Sequence, residues 1–177
     1  MRRAWVPLAL IVLLASGCLA THPVVAPPAS EPAFRPEVFF LGHTSGIGTL
    51  TFRNGFPKRV RVQSVGTPLA DGTFQLDQTI TIAGEAPEDR TWIMRPQSPA
   101  RYTASLTDAT GEAEITVEGS LLRIRYLLAK PDIRMEQRLY LEPDGRAALN
   151  LATVRFLGIP IARLQERITR RSSPPER

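Results

Sequence analysis

Histidine and acidic side chains are the groups of this 177-residue chain that could do chemistry. His43 is the only histidine after residue 36, so a metal site would need carboxylates or carbonyls as its other ligands. A Ser-His-Asp triad could use only His43, and no serine lies in the Gly-x-Ser-x-Gly pattern of a nucleophile elbow. The neighbouring Thr44, Ser45 and Gly46 favour a surface loop around His43. The sequence therefore predicts no catalytic residue, no metal site and no cofactor.

Asp108 is the acid for which two roles compete. It continues the face of Tyr102 and Leu106, which we expect to point inward, so its carboxylate could pair with Arg90 at the rim of a ligand pocket. It also precedes Ala109-Thr110-Gly111, and aspartate is common where a turn begins. The turn role is the favoured interpretation, and the pair with Arg90 is the alternative.

The N-terminal segment predicts export. Arg2 and Arg3 precede an apolar run from Ala4 to Ala15, which is typical of a secretory signal and shorter than the about 20 residues of a membrane span. The following Ser16-Gly17-Cys18 resembles the bacterial lipobox, in which a peptidase cuts before a cysteine that then receives lipid. We therefore expect residues 1–17 to be a lipoprotein signal peptide and Cys18 to be lipidated. The alternative is an ordinary secretory signal in which Cys18 is incidental.

Lipid on Cys18 would make a membrane the first partner of the protein, because several acyl chains together bind a bilayer stably. Leu19 stands where an aspartate would favour the inner membrane of many Gram-negative bacteria. The resemblance therefore implies an anchor on the periplasmic face of the outer membrane. Cys18 is the only cysteine, so the folded part can form no internal disulfide.

Composition divides the rest of the chain into a tether, one domain and a tail. Residues 18–36 contain five prolines and no helical or strand period, which predicts a tether. Residues 37–169 form the predicted domain, and residues 170–177 a disordered tail. The net charge of +5 comes mostly from scattered arginines, which together with export predicts no nucleic-acid partner. The basic stretch Arg163–Arg171 could contact anionic lipid head groups, although a solvated chain end is the favoured interpretation.

Short segments of alternating polarity make the domain all-β. They recur at intervals of about 8–12 residues and are separated by turn signals such as Asn54-Gly55 and Asp144-Gly145. This spacing predicts about nine or ten antiparallel strands, arranged as a meander closed into a barrel or as a sandwich. Closure is preferred because it leaves no open strand edge.

Two segments near the C-terminus test this interpretation. If Tyr126 pairs with Met135, apolar side chains share one face of a hairpin, and Arg125 opposes Glu136 on the other. Residues 159–169 fit either a strand or one face of a helix, and we predict a closing strand.

An ordered series of short motifs spans Glu37–Ile168. It consists of Phe39-Phe40-Leu41-Gly42, Leu76-Asp77, Arg90-Thr91-Trp92, Tyr102, Asp108, Gly111, Ala113, Gly119, Tyr126, Tyr140-Leu141, Asn150 and Arg155-Phe156. The series resembles a proteobacterial lipoprotein family, domain of unknown function 3833. The resemblance implies an antiparallel lipocalin-like (calycin-type) β-barrel of about 8–10 strands, and the family offers no active site to transfer. Gln78 departs from the family, which tends to have an acid there.

A barrel of this size is wide enough either to be filled by side chains or to hold one small ligand. The residues that we expect to line a ligand are Phe74, Trp92, Tyr102, Leu106, Tyr126 and Met135, with Arg90 and Asp108 as polar groups at the rim. The first hypothesis is a non-enzymatic protein that binds or shields a hydrophobic, lipid-like molecule.

Two other function classes remain open. A structural or assembly protein would act through contacts on the barrel surface and would expose a contiguous apolar patch. A lipid-modifying enzyme would use Asp108, Glu136 or His43 as acid or base and needs two such groups within hydrogen-bond reach. The sequence names no protein partner.

Overall fold

The structure is a computed structural model that describes residues 19, 21–53, 55–130 and 132–171. Its elements are α1 (Pro36–Phe39), β1 (Gly42–Phe52), β2 (Lys58–Pro68), β3 (Phe74–Ile82), β4 (Glu88–Ser98), β5 (Arg101–Leu106), β6 (Ala109–Glu118), β7 (Leu121–Leu128), β8 (Ile133–Leu141), β9 (Ala147–Phe156) and β10 (Ile159–Arg170). The all-β prediction is confirmed.

The ten strands form one closed antiparallel barrel. Each strand pairs with its neighbours in the chain, and β1 pairs with β10 to complete the circle. Of the two architectures that the strand pattern left open, the barrel is therefore the one adopted. Every strand has a partner on both sides, which removes the open edges on which other chains could pair.

The two segments near the C-terminus adopt the predicted strands. In the β7–β8 hairpin Tyr126 pairs with Met135 and Arg125 with Glu136, which confirms the predicted register. The ion pair of Glu136, however, is with Nε of Arg155 on β9, at 3.5 Å. β10 spans Ile159–Arg170, so the closing strand is confirmed.

The end of the barrel at which β1 begins is covered by α1 and the residues before it. Phe34, Phe39 and Phe40 are buried there, with ring centroids 5.2 Å apart for Phe34 and Phe39 and 4.9 Å apart for Phe39 and Phe40. The backbone N–H of Phe34 donates to the carbonyl of Gly119 in the β6–β7 turn at 2.7 Å. These contacts fill this end, which we call the closed end.

The segment before α1 lies along the outer wall of β9 and β10. The ring of His22 is 2.9 Å from the hydroxyl of Thr153, and Nη1 of Arg163 donates to the carbonyl of Leu19 at 3.4 Å. Burial lowers the pKa of His22, because it disfavours the charged imidazolium. Leu151 and Thr153 point outward from β9 but are only 2% and 7% exposed, because this segment covers them.

Residues 1–18 and 172–177 lie outside the described residues. The predicted signal peptide, the lipidation of Cys18 and most of the predicted tail therefore stay predictions. Within the part of the chain that the structure describes, no helix is both long and apolar enough to cross a membrane.

Candidate functional site

The barrel contains an interior cavity of about 330 Å³. This volume lies within the range of about 300–1,000 Å³ that is typical of ligand sites. Eight of the ten strands contribute to its wall, and β5 and β6 do not. The apolar part of the wall consists of Phe40, Leu50, Phe52, Val60, Val62, Leu76, Ile80, Ile82, Trp92, Met94, Leu122, Ile124, Leu128, Ile133, Met135, Leu139, Ala152, Val154, Ile161, Ala162, Leu164 and Ile168. The cavity is mostly apolar because alternate residues of each strand point inward.

The cavity extends to the end of the barrel opposite α1. Its wall there includes Lys130 in the β7–β8 turn and Phe52 at the end of β1, which is 38% exposed. Leu50, Ile80 and Ile133 also line it and are only half-buried, although they point into the barrel. Solvent therefore reaches these side chains through the cavity, and we call this end the open end.

A chain of polar side chains crosses the inner wall from β10 to β7. Nδ2 of Asn150 donates to Oε2 of Glu166 at 3.0 Å and to Oε1 of Gln137 at 3.2 Å. Nε2 of Gln137 in turn donates to the hydroxyl of Tyr126 at 3.2 Å. Glu166, Asn150 and Gln137 all line the cavity, so they form a polar stripe on an otherwise apolar wall. We call these three residues the polar stripe.

Glu166 is the buried carboxyl of this stripe and is 4% exposed. Burial raises its pKa, because a charged carboxylate loses hydration inside the barrel, and the hydrogen bond from Asn150 offsets this only in part. Space for the side chain comes from β1, where a Cβ at Gly46 or Gly48 would collide with Glu166. The absence of side chains at these two positions therefore allows an acid to point inward.

Arg90 and Asp108 form the ion pair that was the alternative interpretation of Asp108. Nε and Nη2 of Arg90 donate to Oδ2 of Asp108 at 3.0 and 2.5 Å. Nη1 of Arg90 donates to the Tyr126 hydroxyl at 3.4 Å, which connects the pair to the polar stripe. Asp108 also lies in the turn between β5 and β6, so both of its predicted roles, the turn and the ion pair, occur together. Arg90 lines the cavity.

Trp92 is held by a second set of hydrogen bonds inside the barrel. Its Nε1 donates to Oε1 of Gln78 at 2.8 Å, and Nε2 of Gln78 donates to the hydroxyl of Ser64 at 3.2 Å. The Trp92 and Tyr126 rings pack edge to face with centroids 5.4 Å apart. An amide at position 78 therefore fixes the indole without placing a second carboxylate in the cavity.

The predicted lining residues divide into two groups. Trp92 and Met135 line the cavity, whereas Phe74, Tyr102, Leu106 and Tyr126 are buried in the surrounding core. Phe74 and Tyr102 instead border a cavity of about 130 Å³ near α1. The Tyr102 hydroxyl donates to Oε2 of Glu37 at 3.0 Å, and burial together with this carboxylate raises the pKa of Tyr102 to about 12.

The candidate acids and base of an enzyme are not brought together. His43 is exposed near the start of β1, where it pairs with Val65, so the predicted loop is wrong. The turn-forming residues beside it are held in a strand because β1 has ladder partners on both sides. Glu136 is on the outer face of β8 with Arg155, and Asp108 is at the open end.

The polar stripe is not recognisable as a site from the sequence alone. Asn150 belongs to the motifs of the family resemblance, and Glu166 lies in the segment 159–169, whose pattern fits both a helix and a strand. In strand β10 the inward face is Ala162, Leu164, Glu166 and Ile168. An acid at an inward position of an apolar face is the signal that could have identified the site.

Solved structures with a similar fold have very different sequences. The S-type phycobiliprotein lyase CPES from Guillardia theta has a TM-score of 0.62 at 7% identity, over 78% of this chain and 92% of the lyase. A protein of unknown function from the DUF3598 family of Nostoc punctiforme has a TM-score of 0.59 at 12% identity, over 79% of this chain and 50% of its own. Rv2717c from M. tuberculosis has a TM-score of 0.55 at 16% identity, over 78% of this chain and 99% of its own. At these identities the likeness shows the fold alone, a calycin-like barrel.

The sequence itself matches a known family over nearly its whole length. No curated protein matches this chain. A family model does match, over residues 12–170, which include all ten strands and the polar stripe. The chain therefore belongs to the family described as protein of unknown function DUF3833.

Proposed function

We propose that this protein binds one hydrophobic, lipid-like molecule inside its barrel and does so without catalysis. The observation that carries the proposal is the open, mostly apolar cavity of about 330 Å³. Transfer of apolar groups from water into such a wall is favourable by about 0.8 kcal/mol per methylene. A molecule with an alkyl or acyl chain therefore gains affinity in proportion to the length that enters.

The direction of the cavity fits an elongated ligand. Its wall begins at Phe52 and Ile133 at the open end and continues to Leu139 and Ile168, beyond the polar stripe. The aromatic side chains next to α1 block the opposite exit. A ligand would therefore enter through the open end.

The cellular setting of the proposal comes from the N-terminal segment. The lipobox-like Ser16-Gly17-Cys18 supports a lipid anchor on Cys18. Leu19, in place of an aspartate, supports a location of that anchor on the periplasmic face of the outer membrane. A binding protein anchored there would meet membrane lipids at high local concentration. The separation of His43, Asp108 and Glu136 supports binding rather than a reaction.

Native mass spectrometry tests the proposal directly. The full chain would carry Cys18→Ser, which removes the predicted lipid, and would be exported and purified without detergent. We expect an additional mass that disappears on denaturation and is recovered as a lipid-like molecule. A protein that has only its own mass, and that binds no alkyl probe of any head group, would contradict the proposal.

A further inference from the structure

We propose that the polar stripe binds the protonated amine of an amphiphilic ligand, with the carboxyl of Glu166 and Oδ1 of Asn150 as acceptors. This inference deepens the proposed function and rests on it, because the amine would belong to the molecule whose apolar part fills the cavity. The stripe lies on the cavity wall, so a head group at this position and an alkyl chain in the cavity can be bound together.

Asn150 supplies the first acceptor. Its amide nitrogen already donates twice, to Gln137 and to Glu166. Its Oδ1 is buried and has no hydrogen-bond partner among the described residues. Buried acceptors are nearly always satisfied in folded proteins, so an acceptor that has no partner, on a side chain that lines a cavity, is a position for a donor from outside the chain. The side chain is 3% exposed and cannot turn to solvent for that donor.

Glu166 supplies the second acceptor and the charge. In the described part of the chain, its carboxyl accepts one hydrogen bond, from Asn150, and forms no ion pair. The cation nearest to the stripe in the hydrogen-bond chain is Arg90, and Asp108 already neutralises it. An ammonium group would provide both hydrogen bonds and an opposite charge. A hydroxyl would provide hydrogen bonds alone, and a carboxylate would be repelled.

Three probes with the same alkyl chain separate these possibilities. Decylamine, decanol and decanoic acid would be titrated calorimetrically into the detergent-free Cys18→Ser chain. We expect decylamine to bind best and decanoic acid worst. In the Glu166→Gln variant, the affinity for decylamine should fall about 10- to 100-fold, because a charge-assisted hydrogen bond is lost, while decanol should change little.

The matched control is Glu136→Gln, on the outer face of β8, which should leave all three affinities unchanged. If decanol and decanoic acid bind as well as decylamine and Glu166→Gln changes nothing, the amine inference fails while the proposed function stands. If none of the probes binds, the proposed function fails as well.

A second inference rests on a separate observation, the exposed apolar side chains of the open end. The geometry points to the docking of this end onto an anionic phospholipid bilayer. Two neighbouring hairpins, β1–β2 and β9–β10, carry the side chains concerned, and β1 and β10 are paired. We call these side chains the apolar rim: Phe52, Phe56, Phe156, Leu157 and Ile159, which are 38%, 92%, 42%, 66% and 53% exposed.

Leu157 is an exposed apolar side chain on a backbone conformation that disfavours leucine. It has a φ of 48° in the turn between β9 and β10, and it is followed by Gly158 with a φ of 83°. Leucine rarely adopts this left-handed conformation, in which asparagine or glycine is favoured. The side chain is exposed, so packing within the barrel does not compensate for the cost. An apolar side chain at such a position is expected when it contacts something outside the barrel.

The chain segments that carry the apolar rim, residues 52–58 and 155–159, contain basic residues and no acid. Arg53 and Lys58 flank the β1–β2 hairpin, and Lys130 lies in the β7–β8 turn. Lys58 pairs with Glu85 of the β3–β4 turn at 2.6 Å, so its charge is matched within the protein. The other acids at this end also lie outside the two hairpins of the rim: Glu88 at the start of β4, Asp108 between β5 and β6, and Asp132 in the turn that holds Lys130. Basic residues beside exposed aromatic and aliphatic side chains are typical of surfaces that enter the head-group region of anionic bilayers.

The path of the N-terminal segment starts, at Leu19, beside the half of β10 that is nearer to the open end. The carbonyl of Leu19 accepts a hydrogen bond from Arg163, which is the fifth residue of β10 counted from the open end. The chain then passes Thr153 of β9 and reaches the closed end at Phe34. Cys18 precedes Leu19 in the sequence, so a bilayer that holds its predicted lipid would be within a short reach of the apolar rim. This arrangement selects a membrane as the occupant of the rim.

Brominated lipids test the orientation. The Phe56→Trp variant, with Cys18 retained, would be incorporated into vesicles of phosphatidylethanolamine and phosphatidylglycerol whose acyl chains carry bromine. We expect the fluorescence of the new indole to be quenched. The matched variant is Leu41→Trp, since Leu41 is 48% exposed at the closed end, and its fluorescence should be unaffected. The native chain provides the background from Trp92.

Leu157→Asn provides a second measurement that does not depend on the anchor. In the Cys18→Ser chain, this change should lower binding to the same vesicles roughly 10-fold, because one large apolar contact is lost. It should not lower the melting temperature, because asparagine tolerates the backbone conformation. Equal quenching of tryptophan fluorescence at positions 56 and 41 would overturn the inference, as would unchanged vesicle binding by Leu157→Asn. Either result would indicate that the apolar rim contacts a protein and not a membrane.

Discussion

The Ala152→Trp variant is expected to lose the binding of alkyl ligands while it keeps the barrel. Ala152 is 1% exposed and lines the cavity, where it pairs with Gln137 on one side and Leu164 on the other. An indole at this position projects into the space that a ligand would fill. We expect the affinity for both decylamine and decanol to fall at least about 30-fold, which corresponds to ~2 kcal/mol. Calorimetric titration would measure both values.

Ala83→Trp is the matched control, because Ala83 is exposed in the β3–β4 turn. The control should bind both probes like the native chain. Circular dichroism of the two variants would show that each retains its strands. Native-like affinity of a folded Ala152→Trp variant would mean that the probes bind elsewhere, for example on the apolar rim, and would contradict the proposed cavity.

Phe34→Ala is expected to have the largest effect on stability. The Phe34 ring is 1% exposed and packs against Phe39 and Phe40 with centroids 5.2 and 6.4 Å away. Truncation of such a ring removes its buried area and leaves a cavity, which typically costs about 3–5 kcal/mol. For a domain of this size we expect the melting temperature to fall by roughly 6–20 °C, measured by thermal denaturation followed by circular dichroism.

Phe56→Ala is the control with the same chemical change. Phe56 is 92% exposed, so its removal should alter the free energy of unfolding by less than about 0.5 kcal/mol. The comparison also tests the boundary between tether and domain, which the sequence places between residues 36 and 37. A large loss in Phe34→Ala would show that the folding unit begins before that boundary. Equal stability of the two variants would support the boundary and contradict the packing of Phe34.

The composition of the cavity explains why one carboxylate can be tolerated inside the barrel. Gln78 is an amide, and it accepts the hydrogen bond of the Trp92 indole without adding a charge. Asp108 is neutralised by Arg90. Glu166 is therefore the interior acid that the described ion pairs leave without a cation. This is the feature that makes a cationic head group the expected complement, and a second interior acid would weaken that preference by accepting the same donors.

Local periodicity was sufficient to predict most of the barrel. The β7–β8 hairpin has the predicted register because a shift by one residue would exchange its apolar and polar faces. The segment 159–169 was harder, since Ile161, Leu164 and Ile168 also fit one face of a helix. Pairing with β1 and β9 decides for a strand, because β10 closes the circle of hydrogen bonds. That circle is not visible within any single segment.

The candidate site followed from the sequence only in part. Trp92, Met135 and Arg90 were predicted at the ligand and line the cavity. The pair of Arg90 with Asp108 was the less favoured of two interpretations, because turn propensity is local whereas the pair requires two strands to meet. Tyr126 was predicted to line the ligand and instead supports the wall, where it accepts hydrogen bonds from Gln137 and Arg90.

The sequence by itself determined the all-β class, the family, the hairpin register and the targeting hypothesis, because each depends on residues that are close together in the chain. Only the tertiary structure decided that the barrel is hollow, because cavity volume depends on how side chains from eight strands meet. It also decided that Glu166 lies between Asn150 and the glycines of β1, residues separated by more than a hundred positions. Closure of β10 onto β1 produces this contact, and a hydrogen-bonded ladder between the two ends of a chain leaves no local pattern from which it could be predicted.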